Sequence, residues 1–540
     1  MPRPTSRGSR RSRAGSPEDP QRGELRLIPR SRRGALWRFA LGATLVITFA
    51  AATTAVAGLL QFKQAATYLS ATPALPHAQV SIANPGDPQT LLLIGSDHRA
   101  GTPWRTSNTD TMLLVRLDPN SATINLLSLP RDLKVDIPGF GTQRLNQAYS
   151  LGGPNLLLRT IRANVFPQLT VSHIIDVNFG GFEAVVNAIG CVYTDVDHRY
   201  YNNTAVSNYS SIDIQPGYQK LCGADALAFV RFRHTDNDLV RNARQQDFLR
   251  WAKDQYSEAD LIANQGKLLK IFGKHVQTDH NLHTTDGLIN LFNLVAFSAG
   301  HQIKQIRFPA ILLPCGPSAP GVIAQVPCYV TANPGAERAV YTAFMTPTPP
   351  AASQSSIPHP GVRVAMAPRA RPQPTPGLTA DLKDGRAQAG ALHGARMPVY
   401  VPRLILAGSQ YCTAENPNCT VEVGQTTAEA GVPSGYPRAY VVHDQAGVGE
   451  AAYRLTLEIN PVFGEYYGVQ GTTWQNPPIL RKPTQTEIVG GKQLELYANG
   501  GRISLVAWHT PRAVYWVSNT LNDTIGNRQM VAIAASLTRP

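Results

Sequence analysis

A run of 22 residues without a single charge, Phe39 to Leu60, constrains this chain more than any other feature. At 1.5 Å per residue, a helix over it is roughly 30 Å long, the thickness of a bilayer's hydrocarbon core. A cleaved signal peptide would have a shorter apolar core behind a short basic region. Here the 38 residues before the run hold eleven Arg against three acids, Glu18, Asp19 and Glu24. The reading is a basic cytoplasmic tail, 1–38, followed by a retained transmembrane helix, 39–60. Arginine on the N-terminal side keeps that end in the cytoplasm. The rest of the chain is therefore expected outside, on a single-pass protein of the cell membrane. The tail supplies +8 of the formal +14. The basic balance thus orients a helix, and no nucleic-acid partner is expected.

The six cysteines fit an oxidising compartment. They fall as near neighbours, Cys191 with Cys222, Cys315 with Cys328 and Cys412 with Cys419. An even count outside the membrane suggests disulfides, although spacing leaves the pairing open. None lies in a CxxC pair, so zinc or thiol-redox chemistry is not expected. A chain of 540 residues is too long for one ordinary domain of ~150 residues. Residues 61–88 read as a juxtamembrane spacer and 89–345 as a first globular region. Residues 346–395 hold nine Pro with many Ala, Ser and Gln, a linker with no means of forming a core. Residues 396–540 form a smaller second region.

The first region alternates strands and helices. Leu91–Ile94, Met112–Leu117 and Ile124–Leu129 are apolar at nearly every position, as strands buried on both faces must be. Ile174–Phe179 and Phe229–Arg233 read as two more strands, and Ile303–Phe308 as a later one. Helices fit Asn155–Val165, Gly181–Ile189, Asn242–Tyr256 and Gly287–Leu294. The expected class is α/β, a mixed central sheet flanked by helices on both sides.

Polar residues collect where the apolar strands end, the edge at which open α/β sheets bind ligands. Asp97 and Arg99 follow the first strand, and Asp110 precedes the second. Two converging carboxylates, completed by substrate phosphates and water, are the usual way of holding Mg²⁺. The bland alternative makes Asp97 a turn cap and Asp110 a solvated loop residue. Arg131 ends the third strand, with Asp132 after it. Arg231 and Arg233 flank Phe232, so strand geometry would place both on one face. Arg241, Arg244 and Gln245 share one face of the next helix. Guanidinium forks match phosphate oxygens and are costly to bury without an anion. Ion pairing with Asp132, Asp236 and Asp238 is the competing account.

These stretches carry a resemblance. Leu92 to Arg99, Asn108 to Val115, Leu126 to Asp132 and Arg144 to Tyr149 are similar to the LytR-CpsA-Psr family of cell-wall glycopolymer ligases. So are Gly152-Gly153, Phe179 to Phe182, Gly190, Leu221 to Leu227, Phe229 to Arg233 and Asp236 to Gln246, in matching order. The resemblance implies an α-β-α sandwich and a Mg²⁺-dependent phosphotransferase. Such a protein moves a glycopolymer phosphate from a polyprenyl-pyrophosphate carrier to a peptidoglycan hydroxyl. It implies Asp97 and Asp110 on the metal side. Arg99, Arg131, Arg231, Arg233 and Arg241 match the pyrophosphate-binding set, with Gln245 at the head group and Arg244 alongside. Asp97, Asp110 and Asp132 are the candidate general bases. His98 falls where the family varies and is expected exposed. Phe179, Phe182, Val185, Val186 and Ile189 could line a channel for the polyprenyl chain or form ordinary core. Two other functions fit the same residues: a non-catalytic receptor for lipid-linked polymers that regulates envelope assembly, and an extracytoplasmic polyprenyl-pyrophosphate phosphatase.

The second region has strand signals at Arg454–Ile459, Lys492–Tyr497, Gly501–Trp508 and Ala513–Ser518, with a last helix near Asn527–Leu537. It is expected to be a mostly-β accessory domain without a catalytic constellation. Trp508, Tyr515 and Trp516 read as core or cross-strand pairs rather than as a sugar platform.

Overall fold

The computed structural model describes residues 59–98 except 61, 69, 71–73 and 76–78. It also describes 104–202, 211–232, 238–314, 327–349, 375–413, 416, 419 and 435–540. The tail and nearly all of the expected transmembrane helix lie outside the described residues. Among those described, no helix is long and apolar enough to cross a membrane.

The first region is organised by β1 (Gln89–Ser96), β2 (Thr109–Leu117), β3 (Thr123–Ser128), β4 (His173–Asn178), β5 (Val276–Thr278) and β6 (Gln302–Ile306). They form one sheet in the order β5-β4-β1-β2-β3-β6. β1 runs parallel to β4 and β3 to β6, and the other pairs are antiparallel, so the sheet is mixed. Period-2 geometry splits its apolar residues between two cores. Leu92, Ile94, Leu114 and Leu127 face α1 (Leu145–Asn164) through Leu157 and Ile161. Leu91, Leu113 and Leu126 pack with Leu269, Leu288 and Leu291 on the other side. Helices therefore cover both faces, as the apolar runs require.

Four helices complete the surroundings of the sheet edge and its second face. They are α2 (Phe179–Ala188), α3 (Gly223–Arg231), α4 (Asp238–Gln255) and α5 (Gln265–His275); α6 (Thr285–Ser298) supplies Leu288 and Leu291. α1 begins ten residues before the expected start and bends at Gly152 and Gly153, where Gly153 has φ 68°. Pro154 then opens the straight part, a position where its missing N–H costs little.

The strand expected over Phe229–Arg233 is not one. Phe229–Arg231 is the last turn of α3, and Phe232 leaves the helix with φ −52° and ψ 136°. The preceding Ala-Asp-Ala-Leu-Ala has strong helix propensity, and Ala226, Phe229 and Val230 bury one helical face. Arg231 is thus placed by a helix C-terminus. Arg233 lies outside the described residues.

The second region is a sheet of β7 (Arg438–His443), β8 (Gly449–Asn460), β9 (Glu465–Thr472), β10 (Gln485–Val489), β11 (Lys492–Asn499), β12 (Arg502–His509) and β13 (Val514–Ser518). With Gln410–Tyr411 at one edge the order is β8-β9-β13-β12-β11-β10, and β7 also pairs with β8. Residues 378–391, inside the expected linker, form a short strand, Leu378–Ala380, and helix α7 (Leu382–Ala391). The last proline of that 346–395 stretch is Pro376, and Asp381 caps the helix by accepting the N–H of Asp384. The final helix α8 (Asn527–Ala535) covers one sheet face with Met530 and Ile533. Tyr515 and Trp516 are fully buried, and Trp508 packs across from Tyr515 at 5.6 Å between ring centroids.

The other face of that sheet lies against the first region. Trp516, Ala507 and Val442 share a core with Tyr193 and Tyr218, from the paired strands Val192–Val196 and Gly217–Leu221. Arg454 is buried there, with Nη1 at 3.0 Å from Asp195, which also accepts Trp516 Nε1–H at 3.3 Å. The backbone N–H groups of Arg199 and Tyr218 donate to the hydroxyls of Tyr436 and Tyr440, each at 2.6 Å.

Candidate active site

β1 ends, β2 begins and β3 ends at the same sheet edge, because β2 is antiparallel to both neighbours. The edge thus collects Asp97, Asp110, Arg131 and Asp132. The β1–β2 register shifts at Gly95/Ser96, pairing Ser96 with Thr109. Asp97 and Asn108 are then locked together: Asp97 Oδ1 accepts the N–H of Asn108 at 2.5 Å, and the Asp97 N–H donates to Asn108 O at 3.2 Å. Asp97 is exposed.

Asp110 is the centre of the cluster. It is the second residue of β2, which starts three residues before the apolar run at Met112. Arg131 Nη1–H donates to its carboxylate, Arg241 Nη1 lies 3.7 Å from it, and Arg231 Nε lies 3.9 Å from it. Arg241 Nη2–H also donates to the Asp110 carbonyl at 2.8 Å. Burial pushes the Asp110 carboxyl up, but Arg241, Arg131 and Arg231 together hold it below its ordinary value. Three guanidinium groups therefore converge on one carboxylate. The Nε–H groups of Arg131, Arg231 and Arg241 are buried and make no hydrogen bond among the described residues.

The second organiser is Asp238, in the first turn of α4. Its carboxylate accepts the backbone N–H of Arg131 at 2.7 Å and pairs with Arg241 one helical turn on. Sequence reasoning gave it only a charge-balancing role. Its i, i+3 spacing to Arg241 at a helix start was the available signal. Arg144, to which the sequence assigns no role, has Nη1 3.4 Å from Asp132 Oδ1. Asp132 is buried, and both burial and nearby Asp238 raise its pKa against Arg131, Arg144 and Arg241.

Arg231 is the exposed member of the set, with its side chain 37% accessible and its guanidinium 3.9 Å over the ring of Phe179. Gln245 sits one layer deeper, donating to Val230 O at 3.0 Å. Arg244 stacks in an aromatic layer, 4.6 Å over Tyr200 and 5.6 Å over Phe229, and donates to Phe232 O at 2.8 Å. That layer continues through Val186, with Phe182 and Ile189 packed against it. Arg99 lies outside the described residues. His98, expected exposed, is buried: its N–H turns back to Ser96 Oγ at 3.3 Å, folding it under the strand ends.

Behind Asp97 lies a buried carboxylate that the sequence did not single out. Asp176 of β4 accepts Ser96 Oγ–H at 2.6 Å and Tyr149 O–H at 2.5 Å. Burial outweighs these bonds and pushes its pKa up to about 6. Two disulfides frame the region and the second sheet, Cys191–Cys222 and Cys412–Cys419. Cys315 lies outside the described residues.

A mixed sheet whose edge gathers acids and arginines in this chain order defines a class. Residues 57–316, just under half of the chain, match the LytR_cpsA_psr family. The chain is 33% identical over 211 residues to the polyisoprenyl-teichoic acid–peptidoglycan teichoic acid transferase TagU of Oceanobacillus iheyensis, covering 38% of this chain and 62% of the relative. It is 32% identical over 206 residues to the transferase TagV of Bacillus subtilis, covering 37% and 51%. It is 33% identical over 193 residues to the probable cell wall biosynthesis protein LcpB of Corynebacterium glutamicum, covering 33% and 43%. The chain thus spans between 43% and 62% of the length of these relatives. Among solved structures, TagT bound to LIIa-WTA is similar over 50% of this chain and 97% of that one, at 24% identity and a TM-score of 0.38.

Proposed function

We propose that the chain is a membrane-anchored, extracytoplasmic phosphotransferase. It would move a glycopolymer phosphate from a polyprenyl-pyrophosphate carrier to a hydroxyl of peptidoglycan. The observation that carries this reading is the convergence of Arg131, Arg231 and Arg241 on the single carboxylate of Asp110, with buried N–H groups left over. Such donors are costly to bury unless an anion completes them. Relatives named as teichoic acid transferases support the same reading. The anchor is the apolar run at 39–60.

In the proposed step the acceptor hydroxyl attacks the phosphorus next to the glycan. The bridging P–O bond breaks, and polyprenyl phosphate leaves with the electron pair. Phosphoryl transfer needs mainly positioning and charge neutralisation. Arg131 and Arg241 are held rigidly by Asp238 and Asp110; Arg231, exposed and stacked on Phe179, reaches the substrate. Asp132, with its raised pKa, is the better proton acceptor than Asp110, which the arginines hold low. Asp97 and Asp110 are the acids that would hold Mg²⁺: Asp97 has one oxygen committed to Asn108, and Asp110 has one on Arg131 and the other 3.9 Å from Arg231 Nε without a hydrogen bond. Bound Mg²⁺ would supply charge neutralisation at the phosphates. Phe179 and Phe182 stand where an apolar chain could follow the pyrophosphate.

The test incubates the full chain with a lipid-pyrophosphate oligosaccharide and Mg²⁺, with and without peptidoglycan fragments. A phosphodiester-linked product that requires the fragments is the expected result. Phosphate release without them would make the protein a pyrophosphatase, and tight binding without turnover would make it a receptor.

A further inference from the structure

Helix α5 carries a face of one sign. Lys267, Lys270 and Lys274 fall at i, i+3 and i+7 and are all exposed, while Leu269 and Gly273 are buried on the opposite side. Among the described residues none of the three ammonium groups forms an ion pair. Lys267 Nζ–H donates to Ala188 O at the end of α2, at 3.4 Å, and Lys274 lies 5.4 Å from the ring centroid of Tyr68. Three unpaired lysines in a stripe can be no more than a solvated face, so their surroundings decide their meaning.

Those surroundings are the juxtamembrane segment. Residues 62–68 are helical and lie directly against α5. A Cβ placed on Gly273 would meet Tyr68 Cβ at 2.8 Å and Ala65 O at 3.0 Å, so only glycine permits the approach. Phe62, Ala65 and Ala66 are buried in the same core as Leu269. Ala65 is five residues beyond Leu60, the end of the apolar run, a reach of at most about 17 Å. That is within about two Debye lengths at physiological salt. Ile262, in the helix Glu258–Ala263 just before α5, is apolar and half exposed, which suits an interface between water and lipid.

We propose that the lysine face of α5 rests on anionic lipid headgroups of the leaflet that the apolar run enters. The proposal depends on the anchor reading above. Its consequence concerns the carrier. α5 also packs on α2: a Cβ on Gly181 would meet His275 Cβ at 2.9 Å. α2 carries Phe179, under the guanidinium of Arg231. Lipid contact through α5 would therefore set α2 and the arginine cluster at a fixed height above the surface where a polyprenyl chain is embedded.

The full chain is placed in nanodiscs of phosphatidylcholine alone or with phosphatidylglycerol, and lysine acetylation is mapped by mass spectrometry. Each surface lysine favours an anionic leaflet roughly fivefold. Labelling of Lys267, Lys270 and Lys274 is expected to fall at least severalfold in the anionic discs and to recover in high salt, with Lys383 of α7 unchanged. The variant K267Q/K270Q/K274Q should lose the lipid-dependent protection of Lys63, which is exposed on the juxtamembrane helix. Equal footprints in both discs overturn the lipid face while leaving the anchor standing. A chain that does not enter discs at all refutes the anchor, and the lipid face with it.

Discussion

Arg231 and Arg241 point at the same carboxylate, yet their loss should have opposite consequences. Arg241 is 1% exposed and joins two groups that have few other partners, the Asp238 carboxylate and the Asp110 carbonyl. Arg241→Met leaves Asp238, 2% exposed, with the Arg131 backbone N–H and the more distant Arg131 Nε at 3.7 Å. Breaking a buried pair from one side costs about 3–5 kcal/mol. That is a large share of a typical stability of about 5–15 kcal/mol. Arg231 is 37% exposed, 3.9 Å from Asp110 and stacked on Phe179. A screened pair contributes about 0–1 kcal/mol and an exposed cation–π contact about 0.5–1 kcal/mol. Arg231→Met should therefore lower the Tm by only a few degrees, whereas Arg241→Met lowers it by roughly 6–10 °C. Activity should rank otherwise. Losing one preorganised donor to a developing charge costs about 10²–10³ in rate, so Arg231→Met should be nearly inactive while still folded. Thermal unfolding and transfer rate, measured on the same preparations, test this. Full activity in Arg231→Met, or equal destabilisation by both variants, would refute the division of labour.

Three further outcomes are expected. Asp176, raised from 3.8 to about 6, favours the folded state while protonated. Its contribution is complete below the unfolded value and fades as pH rises through 6, by about 2 kcal/mol between about pH 4 and 8; Asp176→Asn should remove that part of the slope in denaturant titrations at several pH values. The Cys191–Cys222 link closes a separation of 31 residues and fixes Cys222 at the N-cap of α3. The double serine variant should lose about 3–4 kcal/mol in a denaturant series, and transfer should slow with it because α3 positions Arg231. Arg454→Met strands Asp195 beneath the second sheet, so hydrogen exchange in Val192–Val196 should accelerate, by an amount matching about 3–5 kcal/mol.

Much of this architecture was readable because the physics is local. Leu91–Ile94, Met112–Leu117 and Ile124–Leu129 have no polar face, so they had to be central strands, and the polar groups ending them had to share an edge. The spacing of Arg241, Arg244 and Gln245 marked a buried polar stretch of α4 but not its division, with Arg241 on Asp110 and Asp238 and Arg244 stacked on Tyr200. Phe229–Arg233 was misread because five residues cannot distinguish strand from helix; the Ala-rich stretch before them decides the matter. His98 was misjudged because a backbone turn onto Ser96 leaves no trace in composition. Arg144, Asp176 and Asp238 act through partners 12 to 107 residues away, and apart from the Asp238–Arg241 spacing no single-chain pattern reports such pairs. The linker boundary blurred because a window averaged over nine prolines hides the proline-free helix α7 at its end.

The central claim is that Arg131, Arg231 and Arg241 form a pyrophosphate site around Asp110. A crystal structure of the full chain with polyprenyl pyrophosphate and Mg²⁺ tests it most directly. The account predicts phosphate oxygens within hydrogen-bond distance of Arg131 and Arg231, and the prenyl chain leaving past Phe179. Pyrophosphate bound elsewhere, with the arginines still paired only to Asp110 and Asp238, would contradict it.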